Sequence, residues 1–149
     1  MSDTYIKQEI SKLLESQRSA VLSTMEDRQP YSCLVAYAFT GDLKILIFAT
    51  PKATRKLANI TAEPLISLLV DDRKNDPEDF HASSALTILG RAYAIGDSEQ
   101  AQYKALYLQR QPYLQDFADD PKTVFIKVEI DEYILVNRFQ HVETLLFNR

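Results

Sequence analysis

FATPKATRKLANITAEP, running from Phe48 to Pro64, joins a β-prone apolar run (Leu43, Ile45, Leu46, Ile47, Phe48) to a segment with helical spacing at Leu57 and Ile60. The change falls at Thr50-Pro51, which predicts Thr50 as a helix cap and Pro51 as a first-turn residue. Between Leu43 and Ala62 there is no Asp or Glu, yet Lys44, Lys52, Arg55 and Lys56 all lie there, in a chain with 21 acidic against 17 basic residues. The amino end of a helix carries partial positive charge and unpaired N–H groups, so it favours acids and repels Lys and Arg. Here the local charge runs the other way. The Thr50 and Thr54 hydroxyls, the Arg55 guanidinium and the Lys52 and Lys56 ammonium groups, beside open backbone donors, suit a phosphate monoester. The plain alternative is a capping threonine beside cations that point into water.

Outward from this segment, the 149 residues, with 46% hydrophobic and 26% charged content, fit a single domain over 1–149 with a substantial core. A formal net charge of −4 disfavours nucleic acid as the main partner, because phosphate backbones call for broad basic surfaces. No apolar run approaches the roughly 20 residues that span a bilayer, and MSDTYIKQEI does not read as a leader, so a cytoplasmic protein is expected, with no membrane partner. The single cysteine, Cys33, excludes an internal disulfide, and with only His81 and His141 a structural zinc site lacks its usual ligands.

Ile6, Ile10, Leu13 and Leu14 recur at helical spacing behind Ser2 and Asp3 as caps, which predicts an amphipathic first helix. AVLSTM (Ala20–Met25) and YSCLVAYAF (Tyr31–Phe39) read as a β-hairpin joined by the five residues EDRQP. A turn at Thr40, Gly41 and Asp42 precedes the strand from Leu43, and after the basic helix come a strand LISLLVDD (Leu65–Asp72), a polar loop Arg73–His81 and a long strand Ser84–Asp97. Asp97 and Ser98 can cap a helix toward Gln109 whose Tyr103, Leu106, Tyr107 and Leu108 pack, with Pro112 stopping it. The strands Thr123–Phe139 and His141–Phe147 close the chain. The pattern is mainly β (α+β): a six- to seven-stranded antiparallel barrel with three flanking helices.

With these elements in order, the chain resembles the FMN-binding split-barrel family related to pyridoxamine 5'-phosphate oxidase. The likeness runs over nearly the whole length and is most specific at T-x3-T-R-K, similar to the family's T-x3-S-R-K phosphate signature. It implies that Thr50, Thr54, Arg55 and Lys56 hold the FMN phosphate and that Ala49 also belongs to the cofactor site. It also implies that the strand Ser32, Cys33, Leu34, Val35 and Ala36 lies along the flavin ring largely through backbone groups, and that Ser84 and Ala85 approach the flavin from a neighbouring subunit. A homodimer with flavin at the interface follows from the same resemblance. The oxidase itself has an arginine where this chain has Cys33, a glutamine where it has Ala85, and carboxy-terminal tryptophan and arginine residues without counterpart here. ALTILGRA, LQRQPYLQDFAD and ILVNRFQHV are closer to the haem-utilisation branch and to small flavoproteins, although a glycine-rich turn of that branch is replaced by Asn137-Arg138-Phe139-Gln140.

The resemblance implies an FMN-dependent oxidoreductase acting on a small redox substrate, since FMN carries the chemistry and the chain need supply no nucleophile. The alternatives are a non-catalytic flavin carrier or sensor, and a haem-binding or haem-degrading protein. Cys33 reads as an inert, buried small residue, and His81, His141 with Arg138, and the run Asp71–Lys74 read as solvated groups.

Overall fold

The computed structural model describes residues 3–137 and 140–147. The elements are α1 (Asp3–Ser16), β1 (Ser19–Glu26), β2 (Gln29–Phe39), β3 (Ile45–Pro51), α2 (Arg55–Ala62), β4 (Leu65–Asp71), α3 (Asp79–Ala82), β5 (Ala85–Ala94), α4 (Asp97–Arg110), a 3-10 turn (Pro112–Leu114), α5 (Gln115–Asp119), β6 (Thr123–Asn137) and β7 (His141–Leu146). Ser2, expected as a cap, and Arg138 and Phe139 lie outside the described residues. No helix among those described is long and apolar enough to cross a membrane.

The sheet order is β3-β2-β1-β4-β5-β6-β7, and β3 also pairs with β6, so six strands close into an antiparallel barrel and β7 is an extra strand. β6 makes this possible by bending. Gly90 of β5 faces Ile130 while Leu89 faces Glu132, which leaves Asp131 as the extra residue of a bulge. Before that point β6 pairs with β3, and beyond it with β7. The bulge also shifts the inward-facing set of β6 from Ile126, Val128 and Ile130 to Tyr133 and Leu135, all buried. Simple alternation along β6 therefore breaks midway.

Two apolar clusters result. The barrel interior holds Leu22, Val35, Tyr37, Leu46, Phe48, Leu68, Ile88 and Val128, closed at one end by Ile6, Ile10, Leu13 and Leu14 of α1. A second cluster lies outside the barrel, where Tyr103 and Tyr107 of α4 cover Ala38, Ile47, Ala49 and Phe125. β3 is thus buried on both faces, which explains its unbroken apolar run. The aromatics of α4 pack, as expected.

Several sequence expectations are corrected. The hairpin turn between β1 and β2 is Asp27-Arg28 alone, with φ of 48° and 70°, because Glu26 pairs with Gln29 and Met25 with Pro30. Two left-handed residues match the twist of a tight hairpin, so pairing continues into what reads as a five-residue loop. Short helices α3 and α5 occupy stretches without helical periodicity, giving five α-helices among the described residues rather than three. α4 starts at Asp97 behind Gly96, with no side-chain cap.

Candidate functional site: a basic helix start beside the first hairpin

Thr50-Pro51 does not begin the helix. The ladder between β3 and β6 runs through Ala49–Phe125, Thr50–Val124 and Pro51–Thr123, and the Lys52 N–H donates to the Lys122 carbonyl at 2.8 Å. Strand pairing therefore outweighs the helix-start preference of Pro51. The cap is Thr54, in extended conformation, whose hydroxyl oxygen accepts from the Leu57 N–H at 3.3 Å. Thr50, 1% exposed, sits behind it with its hydroxyl 2.8 Å from that of Thr54. The T-x3-T spacing thus joins the end of a strand to the cap of the following helix.

The first turn of α2 holds no acid and presents Arg55 and Lys56. The compensating carboxylate arrives from the hairpin: Arg55 Nε donates to Glu26 Oε2 at 2.6 Å, and the guanidinium lies 4.4 Å from the Tyr31 ring centroid. Arg55 is therefore paired with an acid, not left without one as the local sequence suggested. The pair is half exposed, with side-chain exposures of 53% and 45%, so its contribution to stability is small and a competing anion meets little resistance. Lys56 lies close enough to Cys33 to favour its thiolate, but burial is the larger effect and pushes the thiol up from its usual range. Cys33 is half-buried against the barrel core, which fits the reading of an unreactive thiol.

The helix is fixed to the hairpin by a buried bond in which Asn59 Nδ2 donates to Thr24 Oγ1 at 3.0 Å, and Ile60 enters the core. Sequence reasoning missed Glu26, Tyr31 and Asn59. Glu26 and Tyr31 reach the site through hairpin register, and Asn59 through its bond to Thr24 of β1, which no local motif records.

On β2, Cys33 and Val35 pair with Leu22 and Ala20 and share their inward face, whereas Ser32, Leu34 and Ala36 face outward. Leu34 is 72% exposed, an apolar side chain open to solvent on a paired strand. A planar ligand lying on this face would meet Cys33 and Val35 only through their backbone. Ala49 is buried under α4 and offers no side-chain surface to such a ligand.

Ser84 and Ala85 are not brought to this place. Ala85 pairs with Asp71, and β4 is separated from β2 by β1, so these residues lie about 14 Å across the sheet from β2. The Ser84 N–H instead donates to Asp72 Oδ1 at 2.7 Å. Both histidines are exposed; His141 Nε2 is 2.8 Å from Glu143 Oε1, and no cluster of metal-binding type occurs among the described residues. Arg73 pairs with Asp71 at 3.2 Å, in keeping with a surface charge run.

The donor set (a threonine-capped helix start, Thr50 behind it, and two cations in the first turn) fits a phosphate monoester. The outward face of β2 presents the exposed Leu34, an apolar surface that suits an aromatic ring. The chain has no significant match among curated proteins. Among solved structures it is similar to a heme binding protein from Mycobacterium smegmatis (TM-score 0.82, 15% identity, 94% of this chain and 57% of that one). It is also similar to General Stress Protein 26 from Bacillus anthracis (TM-score 0.72, 22% identity, 96% and 99% covered). A third likeness is to a FAD-binding protein from Mesorhizobium loti (TM-score 0.69, 21% identity, 86% and 90% covered). At these identities the likeness is one of fold, and the chain spans 57% of the mycobacterial protein. Residues 6–137 match the family described as pyridoxamine 5'-phosphate oxidase, and with its closed antiparallel barrel this chain belongs to that FMN-binding split-barrel family.

Proposed function

We propose that this protein binds FMN and acts as a flavin-dependent oxidoreductase on a small redox substrate, as a homodimer with flavin at the interface. The observation that carries the reading is the start of α2, where Thr54 caps a turn that holds Arg55 and Lys56 and no acid. Thr50, Thr54, Arg55 and Lys56 would hold the phosphate, and the outward face of Ser32, Leu34 and Ala36 would support the ring. FMN, when bound, supplies hydride or electron transfer at its N5. The chain's own residues bind, orient and screen it. A dimer would bring in Ser84 and Ala85, which one protomer keeps apart from β2.

The first test is to purify the protein and identify the coloured compound that accompanies it; FMN is expected, and a flavin-free protein that takes up no FMN would sink the reading. Anaerobic mixing of the FMN-loaded protein with reduced nicotinamides and other donors then separates enzyme from carrier: bleaching supports turnover, and its absence with every donor assigns a carrier or sensor. Arg55→Ala is expected to cost about 1.5 to 3 kcal/mol in FMN binding, the scale of a charge-assisted hydrogen bond, and to leave riboflavin binding nearly unchanged. Equal losses for both ligands would contradict the phosphate assignment. The haem alternative rests on likeness of fold to a heme binding protein. An unchanged haem spectrum after replacing His81 and His141 would exclude histidine ligation.

A further inference from the structure

At the end of the barrel where β1 begins, three strand ends meet α1. Asp71 pairs with Ala85 and Ala85 with Val136, so Asp72, Ser84 and Asn137 stand side by side just past these pairs. Glu9 and Lys12, neighbours at i and i+3 on α1, line with them a cavity of about 260 Å³ whose apolar wall is Leu13 and Leu135. Arg55 is bonded to Glu26 at the other end of β1, so this space is separate from the phosphate site.

The polar groups of this wall are incompletely met. Asn137 Oδ1 is the one buried side-chain polar atom among the described residues that has no hydrogen-bond partner. A buried acceptor without a donor is costly, and a ligand that brings the donor removes the cost. Glu9 and Asp72 are half-buried, yet neither forms an ion pair with Lys12 or with any other described residue. Asp72 Oδ1 accepts from the Ser84 N–H at 2.7 Å, and Oδ2 accepts from no described residue. Two carboxylates and an amide oxygen call for a cation rich in donors, and an ammonium group supplies three N–H bonds. Lys12, unpaired on the same wall, calls for an anion. One molecule that carries both charges answers both. The cavity equals the liquid volume of about nine water molecules, which sets the ligand at about nine non-hydrogen atoms. Leu13 and Leu135 favour an aliphatic remainder.

We propose that this cavity binds a small zwitterion, an aliphatic α-amino acid, with its ammonium group on Asn137 Oδ1 and the carboxylates of Glu9 and Asp72 and its carboxylate on Lys12. Such a site stands whether or not FMN binds at α2, and the two readings fail separately. Calorimetric titration and thermal unfolding of the full chain, with L-leucine as the probe, test it. At ten times its dissociation constant, leucine is expected to raise the unfolding midpoint by about 3 to 6 °C. Isoamylamine, which lacks the carboxylate, and isocaproate, which lacks the ammonium group, are each expected to bind at least ten-fold more weakly. Asn137→Leu is expected to weaken leucine to the same extent without lowering the midpoint of the unliganded protein, since it removes an atom that has no partner. Asp72→Asn keeps an oxygen for the Ser84 N–H and removes only the charge, so its expected ten-fold loss decides the matter even where Asn137→Leu fails to fold. Neither heat nor a midpoint shift with leucine would overturn the proposal and leave a cavity filled by water alone. Equal binding of leucine and either analogue would overturn it too, as would full leucine affinity in Asp72→Asn.

Discussion

Arg55 is the residue on which local and tertiary chemistry meet. Sequence placed a cation where a helix start disfavours one, and the fold adds Glu26 and the Tyr31 ring, so the guanidinium is held in place. Such an arginine is preorganised for an anion, but the same carboxylate repels that anion. Glu26→Gln is therefore expected to tighten FMN binding by a few-fold at low salt, measured by titration, with the difference shrinking as salt rises. A weaker affinity would mean that Glu26 positions Arg55 more than it opposes the ligand. Thr50 and Thr54 show why spacing was informative and boundary assignment was not. Their separation survives intact, while the helix starts at Arg55 because β6 holds Thr50 and Pro51 in the ladder.

At the scale of elements, backbone constraints decide the hairpin and the bulge. Arg28 occupies the left-handed region at φ 70° in a two-residue turn, where glycine carries no steric cost. Arg28→Gly is expected to raise stability by about 0.5 to 1 kcal/mol, read from the urea midpoint at constant m-value. The opposite sign is expected at Gly90. A Cβ there would lie 2.5 Å from the Glu129 carbonyl oxygen, a backbone atom that cannot swing aside. Gly90→Ala should cost about 2 to 3 kcal/mol, as overpacking of a closed ladder does, and a neutral result in denaturant titration would show that the bulge relaxes. Gly90 was visible in the sequence, but the bulge it permits depends on β6, about 40 residues away in the chain.

Across the whole molecule, Tyr37 and Arg110 tie the first helix, the barrel and α4 together. The Tyr37 hydroxyl donates to the Leu14 carbonyl at 2.6 Å and the Gln17 carbonyl at 3.1 Å, and Arg110 donates to the carbonyls of Tyr37, Leu14 and Gln17. Burial pushes Tyr37 up to about 12, against the smaller opposing effect of Arg110, and burial likewise pushes Tyr107 up to about 12. A raised folded-state value gives stability that is fully present below the unfolded tyrosine range near pH 10 and is lost as pH climbs toward 12. The urea midpoint is expected to fall steeply over that interval, and Tyr37→Phe should flatten the fall while lowering stability at neutral pH by about 1 kcal/mol. An equally steep fall in the variant would remove Tyr37 as its source. Sequence alone determined the order of the strands and of the three longer helices, the buried face of the first helix, and the cation-rich segment after the third strand, because these depend on short-range periodicity and composition. Tertiary structure alone decided that β3 closes onto β6, that Glu26 and Tyr31 attend Arg55, and that Ser84 and Ala85 stand apart from β2 within one protomer. Those outcomes depend on register between strands distant in the chain, and a register is fixed only when the strands have met.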